Sequence, residues 1–324
     1  MIENLIPLIA LVVLPIMLLL SFAGCVGDDP ELVAQKEAAE KKVAETEKEK
    51  QQQAAAQEAA KYHNVIQADP ILVSYWRLDE LETGDTTAHD SAPDAPQHGQ
   101  YMNLLGISRG EKGALALPQD PNDKAAEFHG TSGYIEVPYH GLLNPVLSFS
   151  IELWVKPNGN PAEPQVVIGS YELDATGKVE RGFVLDVIHG TNPRIRARVG
   201  SGTQPTALEA DLGDGTEHGG WRHVVMTYHG ATKALLLYVN ADDGKPDAQL
   251  PTPTAPAPVA YKAIVDTTMP LRIAAGQFDG PAVPGTPALG SLGRFFSGRL
   301  DEVALYRDVL DGPSVRKHFL AAMT

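Results

Sequence analysis

What most limits the folds open to this chain is a run of short apolar stretches after His63, each separated from the next by Gly, Pro, Asn or Asp. In LSFSIELWVKP, Leu147, Phe149, Ile151, Leu153 and Val155 take one face of an extended segment, and Ser148, Ser150, Glu152 and Trp154 take the other. The split follows because successive strand residues point to opposite sides. Comparable segments are ILVSYWRL from Ile71, AAEFHG from Ala125, GYIEVP from Gly133, QVVIGSY from Gln165 and GFVLDVI from Gly182. They continue with RIRARV from Arg194, WRHVVMTYHG from Trp221, ALLLYVN from Ala234, PLRIAAG from Pro270 and FFSGRLDEVALYRDVL from Phe295. About eleven short strands with no helical periodicity between them predict an all-β sandwich or jelly roll. The proline-rich DGKPDAQLPTPTAPAPVAYK reads as a surface excursion rather than a central strand. Only GPSVRKHFLAAM, from Gly312, reads as helix, with Ser314 as its candidate cap.

Ahead of the β-rich part the texture changes twice. From Leu5 to Val26 the chain is almost wholly apolar, and Ala23 and Gly24 directly precede Cys25, the only cysteine. This resembles a bacterial lipoprotein signal with Cys25 as the lipidated residue, so residues 1–25 are read as signal peptide or membrane anchor. Two features depart from that pattern: the start carries Glu3 and no Lys or Arg, and Phe22 stands three before the cysteine. About twenty apolar residues also suffice to cross a bilayer, so a transmembrane anchor is an alternative, as is an ordinary cleaved signal. Each places the bulk of the chain at or beyond a membrane, and the expected location is extracytoplasmic, anchored in a bacterial cell envelope.

Residues 26–63 read as a charged helical stalk. ELVAQKEAAEKKVAETEKEKQQQAAAQEAAK has no Gly and no Pro, and Glu37 with Lys41 and Glu45 with Lys48 sit at helix-supporting spacings. Fully helical, it would reach about 45–50 Å. A coiled-coil seam through Leu32, Ala39 and Val43 fails at Lys50, Gln53 and Gln57. A solvated single helix is expected, with weak self-association through its alanines as the alternative. Residues 64–324 then form the folded domain. The formal charge of -15 argues against a nucleic-acid partner, because phosphate binding needs clustered Lys and Arg.

From Ile71 to His318, the order SYWRLDE, EFHGTSGYIEVP, LSFSIELWVKP, WRHVVMTYHG, LLLYVN and FFSGRLDEVALYRDVL resembles the laminin-G-like, concanavalin A-like jelly roll of bacterial extracytoplasmic proteins. Segments around Gly113 to Asp123 and Pro246 to Tyr261 depart from the pattern as insertions. The resemblance implies a module that binds a carbohydrate or a protein, often with a structural Ca2+ ion. It also implies Asp301 of the closing strand and Asp79 near the first strand as calcium ligands. One fold hosts many activities, so function has to be argued from sites.

Parity along RLDEVALY puts Asp301 on one face with Val303 and Leu305, and Glu302 on the other with Leu300, Ala304 and Tyr306. At least one of these acids is expected on a covered face, where it needs a cation, a hydrogen-bond donor or a metal. Arg194, Arg196 and Arg198 share one face of a strand and suit an anionic sugar or carboxylate; the alternative is a solvated face balanced by acids across the strand. Trp154, with Glu152 beside it, is a candidate platform for a sugar ring, and Trp76 and Trp221 are others. Core packing is the common fate of such rings. Asp85 and Asp90 are candidates for further metal oxygens or for Asx turns.

No HExxH, zinc-type Cys/His spacing, P-loop or strand-linked GxGxxG occurs. His223 alternates with Val225 and reads as a packed strand residue. A retaining glycosidase needs two carboxyl groups about 5–5.5 Å apart, and no Glu-x-Asp-x-x-Glu pattern supplies them. The expected function is a membrane-tethered, extracytoplasmic, non-catalytic module recognising a carbohydrate or a protein. A structural or assembly role in the envelope is the second reading, and a glycoside hydrolase the third.

Overall fold

The computed structural model describes residues 30–59, 61–82, 84–115, 120, 122–203, 205–241, 259–277 and 290–323. Cys25 and the apolar segment around it lie outside the described residues, among which no helix is long and apolar enough to cross a membrane. The chain divides into two compact units, Met1–Ala60 and Lys61–Thr324. In the first, α1 (Pro30–Ala59) is one continuous helix of 30 residues. Its side chains between 38 and 52 are exposed or half-buried. The second unit begins at Lys61 rather than at residue 64, because α2 (Tyr62–Gln67) packs within it and buries Tyr62, Val65 and Ile66.

The second unit is built from β1 (Leu72–Trp76), β2 (Thr87–Ala88), β3 (Gly99–Met102), β4 (Ile107–Lys112), β5 (Lys124–His129) and β6 (Tyr134–Val137). There follow β7 (Phe149–Pro157), β8 (Gln165–Leu173), β9 (Val179–Ile188), β10 (Arg194–Gly200), β11 (Pro205–Asp211) and β12 (Arg222–His229). The last are β13 (Ala234–Val239), β14 (Leu271–Ile273), β15 (Gly276–Gln277), β16 (Leu292–Gly293) and β17 (Ser297–Tyr306). One sheet has the order β13-β12-β7-β17-β5-β4, with β1 also on β17; the other runs β11-β10-β9-β8-β14-β6-β3-β2. Phe149, Ile151, Leu153 and Val155 of β7 meet Phe183, Leu185 and Val187 of β9 and Ile195, Ala197 and Val199 of β10 in one core between the sheets. Each such aliphatic or aromatic side chain contributes about 1.5–3 kcal/mol on burial. The all-β sandwich expected from the alternation is the fold observed.

Strand β11 escapes the sequence pattern because PTALEAD is poor in β-branched and aromatic residues, and it exists by pairing with β10 along its whole length. GPSVRKHFLAAM folds as α3 (Gly312–Met323), but its cap is Asp311 rather than Ser314: the Asp311 carboxylate accepts the Ser314 amide at 2.9 Å. Together α2 and α3 roof the outer face of the β7 sheet. There Tyr62, Ile66, Tyr75, Trp154, Val225, Tyr306, Val315 and Phe319 make a second core.

Candidate functional site

Strand β17 is longer than either neighbour on one of its sides. There β5 pairs with Ser297 to Leu300 and β1 with residues from Val303 onward, so 301 and 302 fall where the partner changes. On the other side, Asp301 faces Trp154 and Ala304 faces Glu152, leaving Glu302 and Val303 opposite Leu153 alone. This extra residue is a β-bulge. Glu302 adopts φ +53 there, a left-handed conformation costing an L-residue about 1–2 kcal/mol. Leu300, Val303 and Leu305 consequently all enter the core between the sheets, while Asp301 and Glu302 leave it together. The expectation of one acid on each face is corrected by this single-residue slip.

The same gap receives the residues that end β1 and precede β5. Arg77 Nη2 lies 2.8 Å from Asp79, 3.7 Å from Asp120 and 3.8 Å from Asp123, and Arg77 Nε lies 3.3 Å from Glu302. Backbone amides of the insertion after β4 complete the cradle: Ala114 donates to Asp301 Oδ2 and Leu115 to Asp123 Oδ2, each at 2.7 Å. A Cβ at Gly113 would collide with the Asp123 carboxylate, so the loop reaches the acids only as glycine.

Four carboxylates thus crowd one guanidinium, with Asp301 next to Glu302 in the same gap. Asp123, Asp301 and Glu302 are buried, and each offers an oxygen such that all three oxygens lie within 4.8 Å of one another. Asp123 Oδ1, Asp301 Oδ1 and Glu302 Oε2 have no hydrogen-bond partner. Burial, with Asp123 as a neighbouring charge, pushes the Asp301 carboxyl well above the carboxylate range; burial alone does the same to Glu302. Asp123 is pushed up to about 7, by burial first and by Asp79 against the help of the Leu115 amide. Unpartnered buried carboxylate oxygens are costly, and a hard cation that takes six to eight oxygens would satisfy them. The donor set fits such an ion.

Of the two predicted ligands, Asp301 is at the centre of this group. Asp79 is at its edge, with Oδ1 accepting the Lys124 amide at 2.9 Å and Oδ2 paired with Arg77. Asp123 and Glu302 were not predicted as ligands. Asp123 sits at the end of the insertion, and the bulge that redirects Glu302 has no signature in the residue pattern. Asp85 makes an Asx turn by accepting the Thr87 amide, and Asp90 accepts the amides of Tyr75, Ala92 and Gln97.

Trp154 and Glu152 are not at a surface. Both are fully buried beneath α2 and α3, and the Trp154 ring stacks on Phe319 at 5.9 Å. Their reading as a sugar contact is overturned, because the face they share is covered by helix rather than water. Trp76 and Trp221 are buried as well. Glu152 Oε1 accepts Tyr62 Oη at 3.0 Å and pairs with His223 Nε2 at 2.7 Å. Its Oε2 accepts Tyr306 Oη at 2.6 Å and pairs with His318 Nδ1 at 2.9 Å. Burial opposes the Glu152 charge, but His318 and His223 outweigh it and hold the carboxyl well below the usual range.

Arg194, Arg196 and Arg198 do share the outer face of β10, since Ile195, Ala197 and Val199 take the inner one. Their guanidinium groups turn to acids on adjacent strands, however. Arg196 makes a two-pronged contact with buried Asp186 at 2.8 and 3.1 Å, Arg198 reaches the same Asp186 at 2.5 Å, and Arg194 meets Glu209 at 2.6 Å.

The family model described as "Concanavalin A-like lectin/glucanases superfamily" matches residues 129–316, more than half of the chain. No curated protein matches it. Among solved structures, the binding domain of Paraclostridial Mosquitocidal Protein 1 is similar at 13% identity and TM-score 0.49, covering 78% of this chain and 52% of that one. This chain therefore corresponds to about half the length of that structure. The CBM40 of Ruminococcus gnavus IT-sialidase, bound to alpha2,6 sialyllactose, is similar at 16% identity and TM-score 0.39 over 54% of this chain and 84% of that one. Domain 4 of AbnA, a GH43 extracellular arabinanase from Geobacillus stearothermophilus in complex with arabinotriose, is similar at 17% identity and TM-score 0.41, covering 76% and 97%.

Proposed function

Because the chain belongs to the concanavalin A-like lectin/glucanases superfamily, we propose that it is a non-catalytic carbohydrate-binding module, tethered outside the cytoplasm of a bacterium by its N-terminal segment. Cys25 is the proposed lipid attachment point and α1 the spacer. Calcium is the proposed cofactor, held by Asp123, Asp301 and Glu302 with Asp79 at the edge, and its role is structural: it ties the first strand, the last strand and the insertion into one rigid unit.

One observation carries the non-catalytic reading. The acids that crowd together with too few cations are shut from solvent: Asp123 is 1% exposed, and Asp301 and Glu302 are 0% exposed. No sugar reaches them to be protonated or attacked. The more open pair Glu111 and Glu127 is bridged by Arg299 at 2.7 and 2.8 Å, which occupies both acids. A hydrolase needs one accessible acid kept protonated beside a free carboxylate.

The test is glycan profiling of the full-length protein with and without calcium. Retention of at least one glycan class, without release of products and weakened on chelation, is the expected result. Failure to bind any glycan, combined with self-association through α1, would replace this reading with an assembly role. Release of reducing ends from a polysaccharide would replace it with a hydrolase.

A further inference from the structure

Resting on the binding-module reading, we propose that the cleft at one end of the sandwich is the seat of a carboxylated saccharide. The cleft, about 420 Å³ in volume, opens where the two sheets end together. It lies between Lys156 and Pro157 at the close of β7, Arg222 at the start of β12, Pro193 ahead of β10, and the loop from Leu212 to Gly220. Its size falls in the range of about 300–1,000 Å³ typical of small-molecule sites.

The loop is built as a bare backbone wall. In GDGTEHGG, Gly213, Gly215, Gly219 and Gly220 all take positive φ. A Cβ on Gly213 would come within 3.4 Å of Arg222 Nη2, and one on Gly220 within 3.2 Å of Lys156 Cε. Side chains there would crowd the two cations, whereas glycines leave amides and carbonyls, the groups that pair with sugar hydroxyls. The wall is also held in place. Arg222, 3% exposed, donates from Nε to the Leu212 carbonyl and from Nη1 to the Trp221 carbonyl at 2.8 Å, which clamps both ends of the loop. His218 meets the Phe319 ring of α3 edge-on at 5.5 Å. A loop fixed before binding loses less entropy when a ligand arrives.

Charge selects the ligand class. Lys156 and Arg222 bring two positive charges to the lining, and among the described lining residues only Asp214 is negative. Asp214 is already engaged in its own turn, accepting the Thr216 amide at 3.0 Å and the Thr216 hydroxyl at 2.7 Å. No ion pair with a described residue engages Lys156. An ammonium in this position donates charge-assisted hydrogen bonds to a carboxylate, while the glycine wall accepts and donates to the ring hydroxyls around it.

The experiment uses full-length protein on an array of glycans ending in uronates or sialates, each beside its neutral counterpart, followed by calorimetric titration of the strongest carboxylated binder. Carboxylated glycans are expected to bind about tenfold tighter or more, and Lys156→Gln to remove that advantage. Gly219→Asn, which adds a side chain to the wall in a backbone conformation that Asn tolerates, should weaken binding with the melting temperature unchanged. If Lys156→Gln lowers the melting temperature, Lys156→Arg, which keeps the charge, must restore the affinity. Carboxylated glycans bound equally well by parent and both variants would overturn the site but leave the binding module standing. Neutral glycans bound as tightly as carboxylated ones would overturn the ligand class. Binding of no glycan at all would remove the module reading and this inference with it.

Discussion

Withdrawing calcium should lower the melting temperature of the protein, and Asp301→Asn should abolish that sensitivity. An ion bound only by the folded state at 100 times its dissociation constant adds about 2.7 kcal/mol of stability. For the unit Lys61–Thr324, each kcal/mol moves the midpoint by about 2–4 °C. Chelation should therefore lower it by about 5–10 °C, read by calorimetry or near-UV circular dichroism with EGTA and again after calcium is restored. The variant makes the test sharper because its two states move in opposite directions. With calcium present, Asp301→Asn loses a ligand oxygen charge and melts below the parent. Without calcium the parent must take up a proton on Asp301 to fold, because burial and then Asp123 push that carboxyl upward; Asn avoids this cost, so the variant should melt at or above the calcium-free parent. A parent melt indifferent to chelation, or an Asn variant that keeps the full calcium shift, would refute the assignment of these oxygens to a cation.

Three further outcomes follow from the buried roof and the arginine face. Trp154→Ala, which empties a fully buried site against Phe319, should cost about 3–5 kcal/mol in urea unfolding while leaving glycan affinity of the folded fraction unchanged. Asp186→Ala strands Arg196 and Arg198 around a lost buried partner and should destabilise by about 3–5 kcal/mol, whereas Glu209→Ala, the partner of exposed Arg194, should cost under about 1 kcal/mol. For pH, burial works against the charge of His318, but Glu152, backed by Asp69, outweighs it and raises the pKa above 6.5. A raised histidine contributes stability fully below its unfolded pKa and loses it as pH rises through the folded value. Unfolding free energy should accordingly fall on the alkaline side of 6.5, and His318→Gln should flatten that fall.

The period-two pattern of β7, β9 and β10 made the sandwich legible, because the inner residues are apolar without exception while Arg194, Arg196 and Arg198 mark the outside of β10. Two features were hidden for physical reasons. A bulge changes parity by one residue at no compositional cost, so Asp301 and Glu302 read as opposite-facing until the pairing with β7 is known. The roof over Trp154 was hidden because a strand half-covered by helix still alternates. A signal existed all the same: Val224 and Met226 face the main core while Val225 packs on the other side. Apolar residues on both faces of a strand imply that both faces are covered. Val315, Phe319 and Ala322, spaced as one face of α3, supply the cover.

Two buried charge systems lie side by side on β7 and β17, and they differ in how completely their oxygens are hydrogen-bonded. Glu152 is paired with four groups, two tyrosine hydroxyls and two histidine nitrogens, at 2.6 to 3.0 Å. Both of its oxygens are satisfied, its charge is held on the low side, and the result fastens α2 and α3 to the sheet. Asp123 and Glu302 instead share one arginine with Asp79 and Asp120, and Asp123, Asp301 and Glu302 each keep one oxygen without a hydrogen bond. Without a cation such a group minimises its energy by taking up protons, which is the direction in which all three are pushed. Hard cations bind the deprotonated form, so uptake of calcium at these acids would release protons, and its affinity should rise with pH, since burial pushes the Asp123 carboxyl up to about 7. Calorimetric calcium titrations in buffers of different ionisation enthalpy measure that release directly. Calcium binding with no proton release near neutral pH would mean that the ion sits elsewhere.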